Sequence, residues 1–193
     1  MDKHCRKSSE TGFFCNREVF ILGGHTKVKN ALKAPDVIYS GEGFTIDIDT
    51  TLQVSCLPEA SGVVSIDSLD IIVNGPAKFT DFKVTEKLNC SNKYSQVTSS
   101  GLISSDGKAI TLIYDDFSAE CDEQCLGEKC SLIFLKLVAD ESNEVQIIAF
   151  DVIIRGFASL DEGCGGQFND NFETNVNIET ILADSKYPYC REI

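Results

Sequence analysis

Apolar and polar residues alternate almost without error from position 44 to position 54. Phe44, Ile46, Ile48, Leu52 and Val54 fall on one side; Thr45, Asp47, Asp49, Thr51 and Gln53 fall on the other. Successive side chains of a strand point to opposite sides, so this period predicts a long strand with one buried face. Residues 63–73 form a β-branched, apolar run that ends at Asn74-Gly75-Pro76, a sequence with turn chemistry. Further strands are expected at 79–84, 94–98 and 109–114, the last preceded by the turn Ser105-Asp106-Gly107. Two more follow at 132–138 and 145–154, with the polar link 139–144 between them, and a short one is expected at 37–39.

This amounts to about eight strands between 36 and 155, or nine if a weaker one lies near Leu102 or Phe117, and no comparable window has helical periodicity. Short strands with turn signals at roughly ten-residue spacing predict an all-β, two-layer sandwich of jelly-roll type. The runs 132–138 and 145–154 are apolar on both faces apart from Lys136 and Asp151, which places them in mid-sheet or under a covering segment. The expected organisation is therefore an N-terminal extension over 1–34, a sandwich core over 35–158 and a C-terminal extension over 159–193, the extensions supplying the cover. In the first extension, a short apolar run at 19–22 precedes a basic spacing from Lys27 to Lys33. In the second, 176–182 reads equally as strand or short helix.

Composition narrows the function. The chain has 193 residues, 42% of them hydrophobic and 24% charged, enough to bury a proper core. A net charge of −13 argues against nucleic acid and against docking on an anionic membrane, since both need a basic surface. It suits a partner bearing Lys or Arg, and equally it suits simple solubility. No apolar run is long enough to span a bilayer.

Nine cysteines stand at Cys5, Cys15, Cys56, Cys90, Cys121, Cys125, Cys130, Cys164 and Cys190. The nearest approach to a metal motif, Cys121-x3-Cys125-x4-Cys130, lacks a fourth ligand, and the only histidines are His4 and His25. Disulfides are the better reading, with Cys5, Cys15, Cys164 and Cys190 placed to staple the extensions down. They imply an oxidising compartment, and the odd count leaves one thiol free or paired to another chain. Asn89-Cys90-Ser91 is a glycosylation sequon, consistent with secretion. Met1 is followed at once by the charged segment 2–7, with no signal peptide, so the expectation is a segment of a longer secreted chain.

Catalytic chemistry finds little to stand on. Neither histidine sits in a triad context, and no glycine-rich phosphate loop opens a helix. Asp115-Asp116 and the Asp47/Asp49 pair imitate a glycosidase carboxylate pair, but they read as solvated acids in a turn and on a strand's outer face. The chain is expected not to be an enzyme and to hold no cofactor. Structural calcium would rest on the oxygen ligands of Asn169-Asp170-Asn171 and Asp161-Glu162, without an EF-hand pattern; ordinary loop chemistry explains them as well. Sugar binding is weakened by the absence of Trp, leaving Tyr39, Tyr94, Tyr114, Tyr187 and Tyr189 as the main candidates for stacking.

Across 36–155 the order and spacing of these patterns resemble a cohesin, the cellulosome scaffoldin module that holds dockerin-bearing enzymes. The resemblance rests on the glycine turn and long strand Gly41-Glu42-Gly43-Phe44-Thr45-Ile46-Asp47-Ile48. It rests also on Leu69-Asp70-Ile71-Ile72-Val73-Asn74-Gly75-Pro76 with Phe79 and Val84, and on the later runs 110–115 and 132–138. Cohesins are poor in cysteine, so Cys56, Cys90 and the 121–130 cluster make this a divergent match. The resemblance implies a non-catalytic extracellular docking module with a flat sheet face as its working surface. The partner would be a dockerin-type module of secreted plant-cell-wall-degrading enzymes. Its binding residues would be Asp70, Ile72 and Asn74 on one strand, Tyr94, Gln96 and Thr98 on the next, and Thr111 and Ile113 beside them, with Tyr94, Ile72 and Ile113 as an apolar hot spot. The alternative is an immunoglobulin-like cell-surface adhesion or recognition domain of a eukaryotic microbe or parasite, binding a surface receptor.

Overall fold

A computed structural model describes residues 13–23, 26–55, 61–87, 94–96, 99–122, 126–161 and 167–183. Among them lie thirteen strands and no helix. In chain order they are β1 (Phe13–Gly23), β2 (Thr26–Pro35), β3 (Val37–Tyr39), β4 (Gly43–Ser55), β5 (Ser61–Asn74), β6 (Ala77–Lys87) and β7 (Tyr94–Gln96). They continue with β8 (Ser99–Ile103), β9 (Ala109–Tyr114), β10 (Ser118–Asp122), β11 (Leu126–Ala139), β12 (Gln146–Asp161) and β13 (Gln167–Ala183).

The strands form the expected two-layer sandwich. Sheet I has the order β1-β2-β4-β11-β6-β7; sheet II has the order β3-β13-β12-β5-β9-β8, with β10 also paired to β5. Every pairing is antiparallel except β3 with β13. The alternation read from 44 to 54 is realised in β4, where Ile46, Ile48, Leu52 and Val54 are fully enclosed. They face Leu69, Ile71, Ile110 and Leu112 of sheet II in one continuous core that also holds Leu32, Ile133, Phe150 and Ile154. The weak strand candidates near Leu102 and Phe117 are both present, as β8 and, one residue after Phe117, β10.

The flanks do not lie over the sandwich as a cover; they enter it. β2 pairs with β4 from Thr26↔Val54 to Lys33↔Asp47, and β13 pairs with β12 along its whole length. The segment 176–182 is thus strand, and β12 runs unbroken across position 158. The two strands that looked apolar on both faces sit in mid-sheet, β11 between β4 and β6 and β12 between β5 and β13. Their second face is open: Phe134 is 36% and Ile147 60% exposed.

Polar groups inside the sandwich are few and mostly paired. Thr50 Oγ1 donates to Asn30 Oδ1 at 2.9 Å, Tyr114 Oη and Ser131 Oγ lie 3.4 Å apart, and Thr180 Oγ1 donates to the Pro35 carbonyl. Tyr114 stacks on Phe117 with ring centroids 5.0 Å apart, and Lys129 lies over the same ring while donating to the Asp116 carbonyl at 3.0 Å.

Two register shifts re-phase the strands. Across β12, Arg155 faces Ser68 but Gly156 faces Ile66, so Asp67 is an extra residue. Across β11, Lys136 faces Asp81 but Leu137 faces Phe79, so Thr80 is extra, its hydroxyl donating to the Lys136 carbonyl at 3.1 Å. At the first bulge the backbones close up on Gly156, where a Cβ would stand 2.0 Å from the Ser65 carbonyl oxygen and 2.7 Å from Phe172 Cζ.

This packing sets the cost of two substitutions. Gly156→Ala must push the paired backbones of β12 and β5 apart, and a loss of about 2 kcal/mol or more in urea unfolding is expected, as for an overpacked core. Asn30→Ala strands the Thr50 hydroxyl in the core and should cost about 1–3 kcal/mol, whereas Asn30→Leu with Thr50→Val should recover most of that loss in the same assay.

Candidate docking face

The bulge at Asp67 decides what β5 shows to solvent. Before it, Val64 and Ile66 point inward; after it, Leu69, Ile71 and Val73 do, so Ser68, Asp70, Ile72 and Asn74 point outward. Neighbouring strands supply the same outer level. Thr111 stands opposite Asp70 and Ile113 opposite Ser68 on β9, while Ile153 and Asp151 of β12 flank Asp70 and Ile72. Five of the expected binding residues, Asp70, Ile72, Asn74, Thr111 and Ile113, therefore share one face.

The other three do not join them. β7 pairs with β6 at the edge of sheet I, so Tyr94 and Gln96 belong to the opposite layer, and Thr98 lies outside the described residues. The physical reason is the turn at Asn74-Gly75-Pro76. It carries the chain from sheet II to sheet I, where β6 pairs with β11 and β7 with β6, and the place beside β5 goes to β9 once the chain has returned to sheet II. The apolar cluster expected of Tyr94, Ile72 and Ile113 is replaced by Ile113 with Leu102, 52% and 75% exposed, beside the half-buried Ile72.

A polar ladder crosses this face over four strands. Thr111 Oγ1 donates to Asp70 Oδ1 at 2.8 Å, Arg155 Nη1 donates to Asp70 Oδ2, and Arg155 Nε donates to Glu173 Oε2 at 2.7 Å. A parallel rung joins Asn74 Nδ2 to Asp151 Oδ2 at 2.8 Å. The Arg155 hydrogen bond, helped by Thr111, holds the Asp70 carboxyl below the usual carboxylate range despite partial burial. In turn Asp70, then Glu173, hold the Arg155 guanidinium more firmly protonated. Arg155, Asp151 and Glu173 are not among the binding residues expected from the sequence. A signal for the first two is nonetheless there: Asp151 and Arg155 are charged, four apart in an apolar run, and so share a strand face.

Away from this face, Cys121 and Cys130 are buried and disulfide-bonded. Cys15 lies in β1, while Cys5, Cys56, Cys90, Cys125, Cys164, Cys190, Asn89, His4 and His25 lie outside the described residues. Among the described residues no three His, Cys, Asp or Glu side chains gather as a metal site; Asn169, Asp170 and Asn171 are part of β13, and Glu162 is not described. An open hollow of about 630 Å³ lies where β5, β10 and β12 meet, lined by Ser61, Gly62, Val63, Glu120, Cys121, Ser159 and Asp161. Among these lining residues only Glu120 and Asp161 are acidic.

No protein-family model and no curated protein matches the chain. Solved structures with a similar outline include the C-terminal domain of the Streptococcus pyogenes antigen I/II-family protein AspA, 9% identical with a TM-score of 0.39 over 81% of this chain and 54% of that one. This chain thus spans about half of that structure. Others are the collagen-binding subdomain of the Enterococcus faecalis surface protein ACE (12%, 0.34, 70% and 86%) and AvmM, which catalyses macrocyclization in alchivemycin A biosynthesis (10%, 0.31, 91% and 91%). Likeness at this level carries no argument about what the chain does.

The ladder has a pH signature. A carboxyl whose folded pKa is lowered adds stability that is present above its unfolded value, near 3.9, and is lost as pH falls through the folded one. Asp70→Asn should therefore cost about 0.5–1 kcal/mol at pH 7, a partly exposed and screened pair. Urea melts at pH 7 and pH 2.5 check this: the gap between variant and parent should narrow at the lower pH.

Proposed function

We propose that the chain is a non-catalytic extracellular protein-binding module that meets its partner on the outer face of sheet II. The observation that carries this reading is the ladder from Thr111 to Glu173 lying beside exposed Leu102 and Ile113. An apolar patch next to ordered charges is the composition of a protein-docking surface, where desolvated apolar groups supply affinity and charges set orientation. The disulfide bonding of Cys121 and Cys130 supports an oxidising compartment.

Within that reading, the resemblance over 36–155 supports docking of cohesin type, with a dockerin module as partner. Adhesion to a surface receptor is supported by a different observation: β1, β2 and β13, all outside the matched region, complete the two sheets. A sandwich that needs its flanks is not a free-standing copy of the shorter module.

The test immobilises the whole chain and presents purified dockerin modules in one arm and purified cell-surface and extracellular-matrix proteins in the other. Binding in either arm should fall at least tenfold, about 1.4 kcal/mol, in Leu102→Asp with Ile113→Asp, with unchanged far-ultraviolet circular dichroism. Dockerin retention selects the first reading and receptor retention the second. Binding that ignores both substitutions, or turnover of any substrate in a hydrolase panel, overturns the proposal.

A further inference from the structure

The outer face of sheet I carries the opposite sign in a chain whose net charge is −13. On β2, Lys27, Lys29 and Lys33 share the outward level, all partly exposed, while Val28, Asn30 and Leu32 point into the core. Alternate residues of a strand stand about 6.8 Å apart, so the row extends over roughly 20 Å. Arg17 of β1 is exposed and stands directly opposite Ala31, filling the gap in the lysine row. Ala31 thus forms a small floor between Lys29, Arg17 and Lys33.

These cations are not neutralised in the way the others are. Lys136 is ion-paired with Asp81 at 2.8 Å, Lys78 approaches Asp140 at 3.9 Å, and Arg155 is held by the ladder. Lys33 shares the field of Asp47, its neighbour on β4, whereas Lys27 and Lys29 stand opposite Gln53 and Thr51. Asp47 and Asp49 wall the strip on its β4 side, at the level of Lys33 and Ala31. An anion crossing the sheet would meet those carboxylates; one lying along the β1–β2 hairpin would follow Arg17, Lys27, Lys29 and Lys33.

We infer that the outer face of the β1–β2 hairpin binds a linear sulfated polysaccharide, with Arg17, Lys27, Lys29 and Lys33 as its contacts. The strip is extended rather than cupped, which fits a repeating polyanion and not a single small anion. Single-stranded nucleic acid would gain from aromatic platforms for its bases. The outward side chains described beside the lysines, Arg17, Val19 and Ala31, include no such platform. Disulfide bonding fits an oxidising compartment, in which a sulfated polysaccharide is a commoner polyanion than nucleic acid. At physiological salt, charges beyond about 8 Å are screened, so apart from the adjacent Asp47 and Asp49 the strip feels little of the acidic remainder. The inference uses the opposite sheet from the docking reading and shares with it only the oxidising compartment.

The whole chain is tested against immobilised heparin, desulfated heparin and a single-stranded DNA of equal charge. Heparin should be retained at 0.15 M salt and the desulfated form should not. Affinity should fall with salt with a log–log slope of about −3, from four contacts at about −0.7 each. Lys27→Gln with Lys29→Gln should weaken retention at least tenfold, and Arg17→Gln alone should weaken it measurably. Lys83→Gln with Lys136→Gln, on the same sheet but off the strip, should not. Thermal melts confirm that each variant is folded, and Arg17→Gln serves if the lysine pair is not. No retention of heparin, equal loss in the off-strip control, or tighter binding of the DNA would each overturn the inference.

Discussion

The dry layer between the two sheets is the constraint on which everything else in the molecule depends. Both inner faces are given almost wholly to Val, Leu, Ile, Phe and Ala, and the few buried hydroxyls and amides mostly find partners within that layer. Burial of apolar surface at roughly 25 cal/mol per Å² makes any outward turn of those residues expensive, so the phase of each strand is strongly held. Where the phase of the sequence slips, the backbone absorbs it. In β5 the inward set changes from Val64 and Ile66 to Leu69, Ile71 and Val73, and in β6 from Ala77 and Phe79 to Phe82 and Val84. Each slip coincides with a bulge, at Asp67 and Thr80, because one unpaired residue restores the inward direction for all that follow. The outward position of Asp70, Ile72 and Asn74 is therefore a by-product of keeping the core closed.

Because the interior takes no charge, the charges of the described strands lie chiefly on the two outer faces, and they are not shared evenly. Sheet II shows Asp70, Glu120, Asp151, Asp161, Glu173 and Glu179 against Arg155, while sheet I shows Arg17 and six lysines, Lys27, Lys29, Lys33, Lys78, Lys83 and Lys136, against Asp47, Asp49, Asp81 and Glu128. The overall value of −13 conceals this separation. Sequence composition alone argues against any polyanion, and the strand register adds Arg17 to the outward row that Lys27, Lys29 and Lys33 form. Asp47 illustrates the cost of mixing signs on a crowded sheet: burial pushes its carboxyl above the ordinary range even though Lys33 pulls it down.

Strand positions were largely legible, since period two is a local signal that survives in β4, β5, β9, β11 and β12. The sheet to which a strand belongs was not. That depends on where the chain crosses between layers, as it does at Gly75, and no residue in β7 reports it. The flanking strands were hidden for a second reason. In β2 the inward set is Val28, Asn30, Leu32 and Ala34, and in β13 it is Thr174, Val176, Ile178, Thr180 and Leu182. A buried Asn or Thr breaks the apolar rhythm, and only the packed structure shows the partners that make its burial tolerable: Thr50 for Asn30 and the Pro35 carbonyl for Thr180.

The ladder on sheet II also restricts how that face can recognise anything. Asp70 already accepts hydrogen bonds from Thr111 and Arg155, and Arg155 already donates to Glu173, so these groups are spent within the plane of the sheet. Freeing them for a partner would forfeit charge-assisted bonds. Their contribution is instead to lock four strands in register and hold the neighbouring side chains in place, which lowers the entropy lost on association. Contact energy must then come from groups without such ties, chiefly Leu102, Ile113 and Ile72. A partner for this face would present an apolar centre, with cations placed to meet the outward oxygens of Glu173 and Glu179.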